Sequence, residues 1–118
     1  MTFRDALEEH LRAIEARDLD ALAATVAEKD LVLIMADGKL VRSAREFLDA
    51  HRTWFAMPGW TLQARELELL ESTDLGVAVF ELDYREPPAI HSRSYLTLVF
   101  QKQQGRWRMV QDQNTPIK

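Results

Sequence analysis

The sequence predicts an α+β fold, with helices in the N-terminal half and an antiparallel sheet built from the last third of the chain. Two observations carry this. Three long segments, Val77 to Glu86, Ile90 to Gln103 and Arg106 to Asn114, alternate apolar and polar residues with period two, the mark of antiparallel strands with one buried face. Ahead of them, apolar residues recur at helical spacing behind Ser, Thr or Asp capping residues, the mark of amphipathic helices that cover a sheet.

The chain of 118 residues suits a single domain spanning residues 1–118. It is 47% hydrophobic and 29% charged, a globular composition. A net charge of -4, from 15 basic and 19 acidic residues, argues against nucleic acid or an anionic membrane as partner. There is no cysteine, hence no disulfide or thiolate metal site; a reducing cytoplasm is the expected location. No apolar run approaches the roughly 18 residues of a membrane span. Helical patterning from Phe3 leaves no room for a leader.

Thr2 and Asp5 form a capping-box variant. Phe3, Leu7, Leu11 and Ile14 then mark one face of a first helix. Asp18 caps a second helix carrying Leu19, Leu22 and Val26. Leu31 to Met35 reads as a short strand, Ala36-Asp37-Gly38-Lys39 as a turn and Leu40-Val41 as its return. Asp37 is a turn residue on this reading, there for backbone geometry. Ser43 and Glu46 read as a full capping box opening a third helix with Phe47, Leu48, His51, Trp54 and Phe55 on one face. His51 within that stripe is a hydrogen-bonded core histidine on the simpler reading and a pocket base on the functional one.

Trp60, Leu62 and Ala64 alternate, and Leu67 and Leu69 alternate in the opposite phase. The slip predicts a bulge that bends the strand. In the next two strands, Ala78, Phe80, Leu82 and Tyr84 share a face, as do Ser94, Leu96, Leu98 and Phe100. The opposite face carries Val77, Val79, Tyr95, Thr97 and Val99. Its apolar content predicts a homodimer through that face. The final strand runs from an apolar start into Gln111-Asp112-Gln113-Asn114. That polar end is the expected seat of function. Trp107 and Met109 are out of phase with Asp112 and Asn114, so both sets face inward only if the strand bulges or twists strongly. In a regular strand Gln111 and Gln113 would point in.

The order helix, helix, short hairpin, helix, four long strands resembles the nuclear transport factor 2-like fold, shared by ketosteroid isomerase, scytalone dehydratase and the SnoaL-like polyketide cyclases. The SnoaL-like group, with the association domain of calcium/calmodulin-dependent protein kinase, is most similar. Its marker is a turn Gly, a Trp two residues on and a polar strand end, here Gly105-Arg106-Trp107-Arg108-Met109-Val110-Gln111-Asp112-Gln113-Asn114-Thr115. Where the family often has Val-His-x-His-x-Ser, both histidines are glutamine here. The kinase domain's pocket arginines fall at Leu98 and Asn114, so its carboxylate-binding pair is not carried over.

The resemblance implies a cone: a strongly curved antiparallel sheet, three helices over its concave face and a pocket at the wide end. It implies Phe80, Leu82, Ser94, Leu96 and Leu98 as core and pocket floor, and Trp54, Trp60 and Tyr84 as aromatic walls. Asp112 and Asn114 would orient a ligand. Asp112, Tyr84 and His51 are the candidate acid–base set, since a carboxyl in an apolar cone has a raised pKa. Arg93 and Asp83 would suit epoxide hydrolysis, but strand parity puts them on the convex face as an ion pair. No cofactor is expected. The three histidines, His10, His51 and His91, lack metal-ligand spacing, and no phosphate loop or nucleophile motif is present.

Three functions follow: binding of a small, largely apolar molecule in the cone; an isomerase, dehydratase or cyclase acting by acid–base chemistry there; or a dimeric assembly module with a vestigial pocket.

Overall fold

Thr2 starts the first helix, α1 (Phe3–Glu15), with both halves of the capping box: its side chain accepts from the Asp5 amide, and Asp5 accepts from the Thr2 amide. In this computed structural model, which describes all 118 residues, α1 is followed by α2 (Leu19–Ala23), the short strands β1 (Val32–Ile34) and β2 (Leu40–Val41), and α3 (Ala44–Phe55). Asp18 caps α2. Ser43 caps α3 by accepting from the Glu46 amide, but Glu46 bonds to the Ser43 hydroxyl instead of returning to its backbone. Asp37 accepts from the Lys39 amide, the turn role its sequence context implies.

The long strands are β3 (Thr61–Glu71), β4 (Leu75–Glu86), β5 (Ile90–Gln103) and β6 (Arg106–Pro116). The six strands form one sheet in the order β2-β1-β6-β5-β4-β3. All neighbours are antiparallel except β1 and β6, which run parallel with Leu33 opposite Asp112. The sheet is therefore mixed, because the short hairpin joins the edge of β6 from a distant part of the chain.

Two bulges bend it. In β3 the register shifts between Glu66 and Glu68, leaving Leu67 as the extra residue. In β6, Val99 faces Gln111 while Phe100 faces Met109, so Val110 is extra. Each adds local twist and bend. The β6 bulge also resolves the phase of the last strand. Trp107, Met109 and Asp112 all point inward and are buried, and Asn114 shares their face.

The concave face carries Ala78, Phe80, Leu82, Leu96, Leu98, Phe100 and Met109. Helix α1 packs on it through Phe3, whose ring lies 5.5 Å from Phe100 and 5.4 Å from Trp107. A Cβ on Gly76 would stand 2.6 Å from that ring, so only glycine fits beneath it. The β5–β6 turn has positive φ at both Gln104 and Gly105, the geometry of a type I′ hairpin.

On the convex face Val77, Val79, Thr97 and Val99 are half-buried and Tyr95 is exposed. Beside them Arg93 pairs with Glu81 at 2.9 Å, and Asp83 with Arg85 and His91. Arg93 and Asp83 are cross-strand neighbours, but each takes another partner. Water screens such surface pairs, so they add little to stability. No helix is long and apolar enough to cross a membrane.

Candidate functional site

Where β6 becomes polar, the helices do not fill the space over the concave face. A cavity of about 350 Å³ remains there. Its walls come from five places: Ile14 of α1; Leu33, Met35 and Ala36 of β1 and its turn; Ala50, His51 and Trp54 of α3; Leu62, Leu82, Tyr84 and Leu96 of the sheet; and Ser92, Arg93 and Ser94 of β5 with Asp112, Asn114 and Pro116 of β6. The lining is mostly aliphatic and aromatic, with a few polar groups converging on it, as small-molecule pockets are built.

Two of those polar groups lack protein partners. Asn114 Oδ1 is fully enclosed and accepts no hydrogen bond. The Asp112 carboxyl is buried, and burial alone pushes its pKa up to about 7, with no hydrogen bond or counter-charge to offset it. Both sit on β6 against β5, opposite Leu98 and Leu96. Their inward aim follows from the Val110 bulge.

His51 lines the same cavity. Its Nδ1 lies 2.8 Å from the Phe47 carbonyl oxygen. A carbonyl only accepts, so Nδ1 carries the proton and Nε2 keeps a lone pair. Burial lowers the His51 pKa against the opposing effect of that hydrogen bond, keeping the ring neutral at pH 7. The ring stacks on Phe47 at 4.1 Å. His51 is thus both the hydrogen-bonded histidine of the helix stripe and a cavity wall.

Tyr84 is tied into a chain. Trp54 Nε1 donates to its hydroxyl at 3.2 Å, and the hydroxyl donates to Glu86 Oε2 at 3.3 Å. Burial raises its pKa, opposed by the Trp54 N–H. Its one proton is committed to Glu86, so in this arrangement Tyr84 acts as a wall and an acceptor. Trp60 lies behind Trp54, stacked at 4.2 Å, with its Nε1 donating to the Trp54 carbonyl. It faces a second, neighbouring cleft and not the cone cavity.

The structure therefore gathers Asp112, Asn114, His51, Tyr84, Trp54, Leu82, Ser94 and Leu96 at one cavity, with no hydrogen bond joining Asp112, His51 and Tyr84 to each other. Phe80 and Leu98 lie in the core beneath it and do not line it. Sequence reasoning missed Leu33 and Met35. They reach the cavity because β1 lies parallel to β6, a pairing between distant segments that no local pattern announces. It also missed Ile14 and Leu62 as cavity walls, although their apolar phase was visible.

A family profile for the SnoaL-like domain matches residues 4–116. Among solved structures, a candidate calcium/calmodulin-dependent protein kinase type II association domain from Thiobacillus denitrificans is 20% identical, with a TM-score of 0.85 over 99% of this chain and 96% of that one. A candidate dehydratase of the NTF2-like family from Streptomyces avermitilis is 13% identical, with a TM-score of 0.81 over 96% and 91% of the two chains. A candidate ketosteroid isomerase from Shewanella frigidimarina is 20% identical, with a TM-score of 0.80 over 94% and 92%. At these identities the likeness shows the fold alone. No protein with a curated description matches the sequence.

Proposed function

This chain belongs to the SnoaL-like domain family, and on that premise we propose that its cone cavity binds a small, largely apolar molecule carrying a polar group that Asp112 and Asn114 orient. One observation carries the proposal: an apolar cavity whose wall holds a buried carboxyl, Asp112, and the Asn114 amide oxygen, neither with a protein hydrogen bond. Leaving a buried polar group unpaired costs about 1–3 kcal/mol. A ligand that satisfies it recovers that cost, so the site favours a molecule with an apolar body and a hydrogen-bonding group.

The test is a thermal-shift panel of small aliphatic and alicyclic alcohols, ketones and lactones against wild type, Asp112→Asn and Asn114→Leu. A ligand specific to the native state raises the melting temperature by mass action. Wild type is expected to respond to members of the panel. Both variants are expected to fold, since Asn114 Oδ1 makes no protein hydrogen bond to lose, and to lose the response. Variants that respond as wild type does would refute the assignment of these two groups.

A second reading is favoured by the titration range of Asp112. A carboxyl with a pKa of about 7 exchanges protons readily at neutral pH, as a general acid–base must. Asp112 would take a proton beside a carbonyl, and the neutral His51 Nε2 offers an acceptor on the opposite wall. This is the chemistry of an isomerase or dehydratase, the classes to which two of the structural neighbours are assigned. Panel ketones incubated in deuterated water should exchange their α-protons faster with wild type than with Asp112→Asn. Equal rates would remove this reading and leave the binding one standing.

A further inference from the structure

Helix α1 crosses the concave side of the sheet but leaves its edge uncovered. Strand β3 is exposed along nearly all of its length. Two ties span the gap between α1 and β3. At one end Arg4 makes a two-pronged ion pair with Glu66, at 3.2 and 3.1 Å. At the other, Arg17, just past the helix, donates to the Trp60 carbonyl at 2.6 Å and stacks 3.8 Å over the Trp60 ring. Between these ties a cleft of about 640 Å³ stays open, with Leu11 and Glu15 on the helix side and Ala64 on the strand side.

This cleft shares four wall residues with the cone cavity: Ile14, Leu62, Leu82 and Leu96. All four are aliphatic. The sheet register gives the path between them. Asn114 pairs with Leu96 across β6 and β5, and Leu82 pairs with Ala64 across β4 and β3. Leu82 lies opposite Ser94, two residues along β5 from Leu96, so moving from Asn114 to Ala64 crosses three strand spacings and shifts two residues along the sheet, roughly 16 Å in all.

We propose that the cone cavity and the α1–β3 cleft form one two-compartment site for an elongated aliphatic molecule, its polar head at Asp112 and Asn114 and its chain running over Leu96 and Leu82 to Ala64. This rests on the reading of the cone as a ligand site. It adds a substrate class and an exit for the chain: a ligand too long for the cone alone extends between α1 and the edge strand. The two ties hold the helix at a fixed height above β3 and so define the width of that exit.

The test uses n-alkan-1-ols from butanol to decanol, titrated against the whole protein and followed by intrinsic tryptophan fluorescence. The hydroxyl supplies a hydrogen-bonding partner for the Asp112 carboxyl and the Asn114 amide that line the cavity. Ala64→Phe narrows the cleft at an exposed position outside the cone, and Leu11→Phe narrows it from the helix side. In wild type the affinity should keep rising along the series, by about fourfold per buried methylene. In both variants decanol should lose about tenfold or more, the equivalent of roughly two buried methylenes, while butanol stays within about twofold of wild type. Retained butanol binding shows that a variant is folded; if one variant does not fold, the other carries the test. A wild-type series that levels off at the short alcohols, or variants that bind decanol as wild type does, would overturn the two-compartment site and leave the cone reading intact. Failure of every alcohol to bind wild type, butanol included, would overturn both.

Discussion

Asp112 and His10 are both buried ionisable groups, and burial drives them in opposite directions. His10 is fully enclosed, its Nδ1 2.7 Å from Thr25 Oγ1. The Thr25 hydroxyl donates to the Leu22 carbonyl, so it accepts from His10 Nδ1, and Nε2 is left with an unpaired lone pair. Burial, with a smaller contribution from His51, lowers the His10 pKa to about 3. The unfolded chain binds a proton at His10 below its ordinary 6.5 while the native state does not, so stability falls as pH drops from 6.5 towards 3. Asp112 has the reverse sign. Its native pKa of about 7 exceeds the ordinary 3.8, so its contribution is present below 3.8 and is lost as pH rises towards 7. Each slope is at most about 1.4 kcal/mol per pH unit. Between pH 4 and 6.5 Asp112 opposes His10, with the lowered His51 acting on the His10 side, so the wild-type dependence there should be the shallower difference of the two effects. Asp112→Asn should instead lose stability steadily on acidification, and His10→Leu should lose it as pH rises. Urea melts from pH 4 to 8 decide this; an Asp112→Asn profile parallel to wild type would show that Asp112 titrates normally.

The contact between α1 and β4 depends on a missing side chain. Gly76 lies under the Phe3 ring, and a methyl group there would stand 2.6 Å from it. Phe3 has no room to retreat, being fully buried between Phe100 and Trp107. Gly76→Ala should therefore destabilise by about 1–3 kcal/mol, the usual range for overpacking. In a Phe3→Leu background the same substitution should cost less, because the smaller side chain yields space. Denaturant melts of the four proteins test this; an equal penalty in both backgrounds would mean the strain lies elsewhere. Gly76 closes the stretch Ser72-Thr73-Asp74-Leu75-Gly76, which the sequence reads simply as a turn. Its close approach to a residue 73 positions away in the chain is a tertiary fact with no local signature.

At the scale of the molecule, the elements that depend on local physics were legible. Caps at Thr2, Asp18 and Ser43, the hairpin at Asp37-Gly38 and the period-two strands β4 to β6 all follow from neighbouring residues. So did the bulge in β3, because a slip in apolar phase is itself a sequence signal. Less legible was anything set by distant pairing. The opposed phases of Met109 and Asp112 required an irregularity in β6, but only the register against β5 fixes it at Val110. The parallel β1–β6 pair, which brings Leu33 and Met35 to the cavity, had no signal at all. Of the site, Asp112 and Asn114 stood out because apolar alternation stops at them. The partition between cone and cleft, which leaves Trp60 on the far side, comes from how α1 sits over β3.

The central claim is that the cone wall holds an enclosed carboxyl waiting for a ligand group. The most direct measurement is the titration of the Asp112 side-chain carboxyl by carbon-detected NMR, with and without a cone ligand from the thermal-shift panel. The account predicts a midpoint of about 7 in the free protein and a displaced midpoint when the ligand occupies the cavity. A midpoint near the ordinary 3.8, unmoved by ligand, would contradict it.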